Sequence, residues 1–433
     1  MELFGKCIER GRRSMIKNIC DDSLCTACGA CENSCNFQAI IRTKRKDDSW
    51  YMQIDDTKCK NCNRCLKVCP NNHVPSLYSP QKAYAAWSTD KEIHKNSASG
   101  GIATELYNYA VDKKMYFAGV SMDKNLEAHF ELVNNKNSIE KFQNSKYTFS
   151  YMDDIYLKCK ELLKKDEKIL FVGLPCQIAA LRNYIGENEN LILIDLACHG
   201  TPSPEFLKQH VKTIEKKKNK IADNVSFRNA RFNTNNFYFT LTHKNRIFYK
   251  KNSLSEDNYQ IGYHKAFIYR DCCYQCRYAQ RKRTGDLTIA DYHGLGKVSV
   301  YNGNKESVSC VLVNSEKGKT LLNKLFENEQ IEVIERPLLE PLQNEPQFNY
   351  PSKSSQEHDE FINLYQKKEN FDLVANVVFK QYKFKGWVLG TTNVVNYKNK
   401  FMALLPWELK QYVKKMLRSF LYNSNIGNSK KEG

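Results

Sequence analysis

The stretch CTACGACENSC, residues Cys25 to Cys35, sets four cysteines in eleven residues with the spacing C-x2-C-x2-C-x3-C. A second run, CKNCNRCLKVCP from Cys59 to Pro70, repeats that spacing and closes on proline. Steps of two intervening residues let three thiols of one loop point at one centre. The fourth cysteine is expected to start a helix and reach the neighbouring centre. Between the runs, AIIRTKRKDDSWYMQID reads as two short strands around a polar turn.

This spacing is the bacterial pattern for two 4Fe–4S clusters, in which the fourth cysteine of each run serves the other cluster. One cluster would use Cys25, Cys28, Cys31 and Cys69, and the other Cys59, Cys62, Cys65 and Cys35. Zinc is the competing reading, but it favours C-x2-C pairs separated by a longer loop. Two triplets and two single cysteines fit zinc poorly. The two runs resemble a two-cluster ferredoxin domain over residues 20–75, although Asn36 stands where many ferredoxins carry the first proline.

The rest of the composition bounds the surroundings. A chain of 433 residues exceeds one ordinary core and suggests two or three domains. With 41% hydrophobic and 26% charged residues the balance is globular. No apolar run is long enough to span a bilayer, and MELFGKCIERGRRSMIKN has no apolar signal region. The expected location is the cytoplasm, where the 17 cysteines stay reduced and their clusters read as metal or redox sites. Cys7, Cys20, Cys159, Cys272 and Cys310 read as unliganded thiols. The net charge of +18 could attract nucleic acid, an anionic membrane face or an acidic redox partner. The basic residues are dispersed and accompany no nucleic-acid-binding motif, so a solvated basic surface is the preferred account.

Residues 73–80, HVPSLYSP, read as a linker. KAYAAWSTD and YFAGVSM read as strands. Between them, a Ser- and Gly-rich turn, SASGG, precedes a helical pattern. Such a turn can bind a phosphate, though it is commonly only a cap. KILFVGLPCQIAALRNYI (168–185) reads as a buried strand, a turn holding Cys176, and a helix. NLILIDLACHGTPSPEFLKQHV (190–211) repeats this with Cys198 and His199 in the turn. Both cysteines fall at C-terminal ends of strands, where α/β folds bind ligands. Cys273 and Cys276 form a C-x2-C pair ahead of the strand DLTIADY. Alone, that pair is ambiguous between metal, redox dithiol and chance.

SASGG, NSKYTFS, LPCQIAALR, DLACHGTPSPEFL, SFRN and CYQCRYAQRKRTGDLTIAD occur in this order. Over residues 80–300 they resemble the family of beta subunits of coenzyme F420-reducing hydrogenases and dehydrogenases. That family includes F420-dependent reductases and the plant reductase of 7-hydroxymethyl chlorophyll a. The resemblance implies an FAD-containing iron–sulfur module. It implies Ser97, Ser99, Gly100 and Gly101 at the FAD, with Lys146 and Tyr147 nearby. It also implies a third 4Fe–4S cluster on Cys176, Cys198, Cys273 and Cys276, with Cys272 an alternative to Cys273. Two departures concern the substrate side: Tyr292, His293 and Gly294 follow DLTIAD, and ARFNTNNF follows SFRN where the family has a Gly-Trp segment.

The expected architecture is α+β or α/β. It comprises a tail (1–19), a ferredoxin domain (20–75), a flavin-side part (80–160), a third-cluster part (161–335) and a Pro-rich arm with a basic helical extension (336–433). The expected activity is an oxidoreductase. A ferredoxin-like donor would feed the clusters, then FAD, then a small-molecule two-electron acceptor, with coenzyme F420 one option. The alternative is a non-enzymatic electron-transfer subunit that docks on a catalytic partner. His199 could donate a proton, but a hydrogen-bonding role at its turn is preferred. Asp291 could orient flavin or substrate or simply cap a strand end, and Arg228 could hold an anion. In PWELKQYVKKMLRSFLY, Leu409, Val413, Met416 and Phe420 share one helical face and Lys410, Lys414 and Arg418 the other. That pattern allows peripheral membrane contact, although a helix packed on its own domain is preferred.

Overall fold

A computed structural model describes residues 18–229, 237–305 and 307–383. The tail, Cys7 and the basic C-terminal helix pattern lie outside the described residues. The fold is mixed α/β around one large sheet.

Each cysteine run winds through two left-handed residues. They are Ala27 (φ 52°) and Gly29 (φ 78°) in the first, and Asn61 (φ 55°) and Asn63 (φ 64°) in the second. Alternating backbone hands turn successive N–H groups toward the concave side, a shape that accepts anions and iron–sulfur groups. Short helices follow, Ala30–Ser34 and Arg64–Val68, and Cys35 and Cys69 are their C-terminal caps. The fourth cysteine therefore ends a helix rather than starting one. The x3 spacing is the reason, since residues four apart span about one helical turn. Strands β1 (Ile40–Lys44) and β2 (Trp50–Ile54) form the expected hairpin, with Ile40 opposite Ile54.

The large sheet draws on β3 (Lys82–Ser88), β4 (Tyr116–Met122), β5 (Ala128–Val133), β6 (Ser150–Tyr151), β7 (Ile169–Gly173) and β8 (Leu191–Leu196). β9 (Asn224–Ser226), β10 (Tyr238–His243) and β11 (Arg246–Asn252) make a separate antiparallel sheet. β12 (Leu287–Asp291), β13 (Ser309–Val313) and β14 (Ile331–Arg336) complete the large one, in the order β14-β3-β13-β12-β8-β7-β4-β5-β6. β12, β8, β7 and β4 run parallel. β3 shares their direction because β13 is antiparallel to both β3 and β12. β5 opposes β4 and β6 follows β5, so β6 begins at the edge where β4 ends. The ends of β3, β7, β8 and β12 and the start of β6, where SASGG, the Cys176 and Cys198 turns, Asp291 and NSKYTFS lie, thus share one edge of the sheet.

All five residues of β7 are buried, as its unbroken apolar run requires of a strand covered on both faces. Leu170 and Val172 join the core under the helices Ile102–Asp112 and Glu316–Glu327. Ile169 and Phe171 join the opposite core with the helices Ile155–Leu163 and Pro175–Ile185. Cys28 and Ala30 are buried in that second core, so the cysteine-rich unit docks directly on the sheet's helical layer.

Residues 336–383 are packed rather than extended. Arg336 closes β14 and donates from Nε to the fully buried Glu340 at 2.9 Å. The helices Gln356–Lys368 and Phe371–Val378 fill a third core with the helix Pro204–Lys218. No helix among the described residues is long and apolar enough to cross a membrane.

Candidate functional site: three sets of cysteines

Cys35, Cys59, Cys62 and Cys65 line one hollow of about 320 Å3. Cys62 is exposed there. Backbone N–H groups already aim at this set, Asn61 N at Cys59 Sγ (3.4 Å) and Ala39 N at Cys35 Sγ (3.3 Å). Cys25, Cys28, Cys31 and Cys69 form the inner set, and all four are buried. Met52 N donates to Cys25 Sγ at 3.4 Å. Burial pushes the Cys28 thiol up to about 12, and Cys69 and Cys25 add repulsion. Burial also raises Cys31, whereas a hydrogen bond from Cys20 pulls Cys25 and Cys69 down to about 6 and about 7; metal ligation would hold all four as thiolates. The donor set therefore fits an iron–sulfur group.

The third set is assembled from distant segments. Cys176 is the second residue of the helix Pro175–Ile185, not part of the preceding turn. Pro175 explains this, since its fixed φ and missing N–H suit a first helical position. Cys198 lies two residues beyond β8, Cys273 within the short helix Asp271–Tyr274, and Cys276 just after it. Cys176, Cys198, Cys272, Cys273 and Cys276 line a cleft of about 490 Å3. Cys272 hydrogen-bonds the Cys273 sulfur, and Thr201 N donates to the same sulfur at 3.4 Å. Gly200 is obligatory in this turn. Its φ is 144°, and a Cβ would meet the Tyr269 ring at 2.4 Å.

The residues resembling a flavin site gather around the end of β12. Ser97 and Ser99 donate their hydroxyls to Ile93 O (2.7 Å) and Val308 O (3.0 Å). Gly100 N donates to Ser309 Oγ at 2.9 Å, and a Cβ on Gly100 would strike Ala86 O at 2.3 Å. The glycine thus permits close approach to β3 and β13, and Gly101 (φ 83°) begins the next helix. Ser309 is the register partner of Asp291. Asp291 accepts from Arg228 at 2.7 Å, and Arg228 also bonds Tyr147. Tyr147 stacks on Tyr263 with ring centroids 4.2 Å apart. Lys146 donates instead to Lys141 O and Gln143 O, and desolvation pulls its ammonium down to about 7.

His199 is half-buried, 3.6 Å from the buried Glu345 carboxylate, and its carbonyl accepts from Ser352 at 2.7 Å. Desolvation lowers its pKa, opposed by Glu345. Glu345 also faces His293 at 3.4 Å. It comes from the Pro-rich segment, where the sequence carried no sign of a site. Two further residues, Tyr278 and Arg270, carry no signal in the sequence, and Cys20 reads there only as an unliganded thiol. Cys20 hydrogen-bonds Cys25 and Cys69. Tyr278 donates to Pro70 O at 2.7 Å and joins the third set to the inner one. Arg270 lies between those two sets as well.

Comparison with known proteins identifies the family of the chain's parts. Residues 24–73 match the 4Fe-4S dicluster domain. Residues 83–155 and 166–337 match the N-terminal and C-terminal parts of the coenzyme F420 hydrogenase/dehydrogenase beta subunit. One component subunit of the F(420)H(2) dehydrogenase of Methanosarcina mazei is 27% identical over 225 residues, covering 46% of this chain and 63% of that one. The coenzyme F420-dependent sulfite reductase of Methanocaldococcus jannaschii is 28% identical over 170 residues, covering 39% and 26%. The chain thus matches less than two thirds of the length of these relatives. A chain of the F420-reducing [NiFe] hydrogenase complex of Methanosarcina barkeri superposes with a TM-score of 0.41 at 17% identity, over 73% of this chain and 94% of that one.

Proposed function

Because the chain belongs to the family of coenzyme F420 hydrogenase/dehydrogenase beta subunits and carries an N-terminal 4Fe–4S dicluster domain, we propose that it is an iron–sulfur flavoprotein oxidoreductase. It takes electrons from a ferredoxin-type donor and passes them to a small two-electron acceptor. Bound 4Fe–4S clusters handle electrons singly, and bound FAD would exchange them in pairs. In this reading Cys59, Cys62, Cys65 and Cys35 hold the outer cluster. Cys25, Cys28, Cys31 and Cys69 hold the inner one, and Cys176, Cys198, Cys273 and Cys276 the third. Ser97, Ser99, Gly100, Gly101, Lys146 and Tyr147 form the FAD side. His199 steadies its turn through Glu345 and Ser352, and Asp291 holds Arg228 toward the same strip. Thiols that must stay reduced favour a cytoplasmic location.

The observation that carries this reading is the serial arrangement of twelve thiols. It begins at the exposed Cys62, continues through a buried set, and ends in the cleft lined by Cys176, Cys198 and His199 just beyond β7 and β8. The test is a count of iron, sulfide, zinc and flavin on protein purified without oxygen. About twelve irons and one FAD per chain support it, at four irons per cluster. About eight irons without flavin leave the dicluster domain standing and remove the third site. Zinc in their place, giving colourless protein, removes all three.

A second reading is a non-enzymatic electron-transfer subunit docked on a separate catalytic partner. It is favoured by a relative whose name is that of a subunit and by serine hydroxyls already committed to the protein's own carbonyls. Three clusters without flavin would select it.

A further inference from the structure

Five arginines of the described residues are buried at the guanidinium, and four of them face a carboxylate. Arg283 meets Asp195 at 3.1 Å, Arg336 meets Glu340 at 2.9 Å, Arg228 meets Asp291 at 2.7 Å and Arg182 meets Glu187 at 2.7 Å. Arg270, 5% exposed, is the exception. Its neighbour Asp271 turns away to His358, at 3.8 Å. Its Nη1 donates to Thr26 O at 2.9 Å, inside the loop joining Cys25 to Cys28. Its Nη2 and Nε donate to Thr201 Oγ1 at 2.8 and 3.1 Å, in the turn that follows Cys198. Its plane lies 4.7 Å from the Phe149 ring. An unpaired buried cation is among the most costly groups a fold can hold. The groups whose charge would offset it are thiols on both sides: Cys273 and Cys176 of the third set with the neighbouring Cys272, and Cys25 of the inner set.

We infer that Arg270 is a positioning residue that serves as the shared counter-ion of the inner and third cysteine sites, holding both loops with one guanidinium and raising the reduction potentials of both centres together. The inference rests on the proposed reading that both sites hold clusters. Each reduction adds one electron, delivered by the ferredoxin-type donor, and therefore one negative charge beside a fixed cation in a poorly screened interior. A cation belonging to one site alone would favour that site. One that bonds both loops lifts both sites and keeps them matched. The hydrogen bonds of Arg270 reach the inner and third loops and not the outer set, so the outer potential should respond least to it. Lysine could supply the charge but not the planar fork that reaches Thr26 and Thr201 at once.

The test uses the full chain purified without oxygen, as wild type, Arg270→Gln and Arg270→Lys. Iron per chain and EPR-monitored potentiometric titrations are the readouts. In Arg270→Gln with wild-type iron, both inner and third midpoints should fall by at least a tenfold change in the one-electron reduction equilibrium, 59 mV. The outer midpoint should move least. Arg270→Lys should retain the larger part of both midpoints. Unmoved midpoints in Arg270→Gln, a shift at only one site, or an equal shift in Arg270→Lys would each overturn the shared-charge role. If Arg270→Gln loses iron, Arg270→Lys must keep both iron and midpoints, and loss in both variants overturns the role as well. Wild-type protein with about eight irons removes the third site itself, a failure of the proposed function that the iron count separates from a failure of Arg270.

Discussion

The outer and third cysteine sets offer the same donors by opposite means. Cys59, Cys62 and Cys65 lie within seven residues. Left-handed Asn61 and Asn63 bend their loop around a common centre, so chain geometry alone does most of the gathering. The third set spans residues 176 to 276, and apart from the local Cys273–Cys276 pair its members come together only through the sheet. Cys176 and Cys198 arrive at the ends of β7 and β8, and Cys273 and Cys276 from the segment before β12. A site made by a loop should survive damage to the domain beside it. A site made by a sheet edge should register every disturbance of that sheet.

The largest break in this contrast comes from Cys198→Ala. It should lose about four of about twelve irons and essentially all reductase activity, while the dicluster domain keeps its two clusters. Full iron content in the variant would remove Cys198 from the ligand set. Asp195→Ala should act indirectly. Asp195, on β8, is fully buried and accepts from Arg283, from Thr284 N at 2.8 Å and from Gly285 N at 3.0 Å. The variant strands the Arg283 charge and should cost about 3–5 kcal/mol. Denaturant unfolding with iron analysis checks both parts: stability should fall and iron should leave the third site first. Loss from the outer site first would reverse the comparison.

The same contrast explains what could be read before the structure. Local spacing made the two N-terminal sets legible, because each triplet carries its geometry with it. β7 and β8 were legible as apolar runs that only a doubly covered strand accommodates. Strand ends and a C-x2-C pair suggest a third set, but only the family resemblance assigns its four ligands. Cys176 and Cys198 each look like ordinary buried thiols, and what unites them is strand order, which spacing does not encode. Tyr278 lies in a quoted motif and Arg270 just ahead of it, and neither stands out, since nothing local says that a side chain crosses to another domain. The Pro-rich segment read as an arm, yet Glu340 and Glu345 turn inward to Arg336, His199 and His293. Proline marks where helices and strands stop, not where packing stops.

A smaller effect should separate the regions by pH. His210, in the helix that follows the Cys198 turn, is buried between Asp257 and Asp372, each 3.0 Å away. Burial opposes its charge, but the two carboxylates outweigh it and hold the imidazole up at about 10. A folded value raised above the ordinary one means that the stabilisation is complete below about pH 6.5 and is lost as pH climbs toward 10. Relative to His210→Leu, the wild-type chain should lose on the order of 3 kcal/mol of stability between pH 7 and 10. The dicluster domain has no such group, so its iron should remain while the large domain loosens. A stability difference that stays flat with pH would show that the His210 charge is not what joins these helices.

The smallest expected effect lies at the exposed end of the series. Lys60, Arg64 and Lys67 are exposed around Cys62, and Phe37 lies exposed beside the same hollow. If electrons enter here from an acidic carrier, the patch steers encounter more than it holds the complex, because rim charges act mainly on association rate. The double variant Lys60→Glu, Arg64→Glu should slow stopped-flow reduction by such a carrier by roughly fivefold at low salt, with the gap closing near 0.15 M, where the Debye length is about 8 Å. Reduction by a small uncharged chemical reductant should not change, since the cluster itself is untouched. A third-site variant should show the inverse pattern, with normal entry of the first electrons and no delivery. If Lys60→Glu, Arg64→Glu leaves entry unchanged at every ionic strength, electrons enter elsewhere, and the outer set is a branch of the relay rather than its beginning.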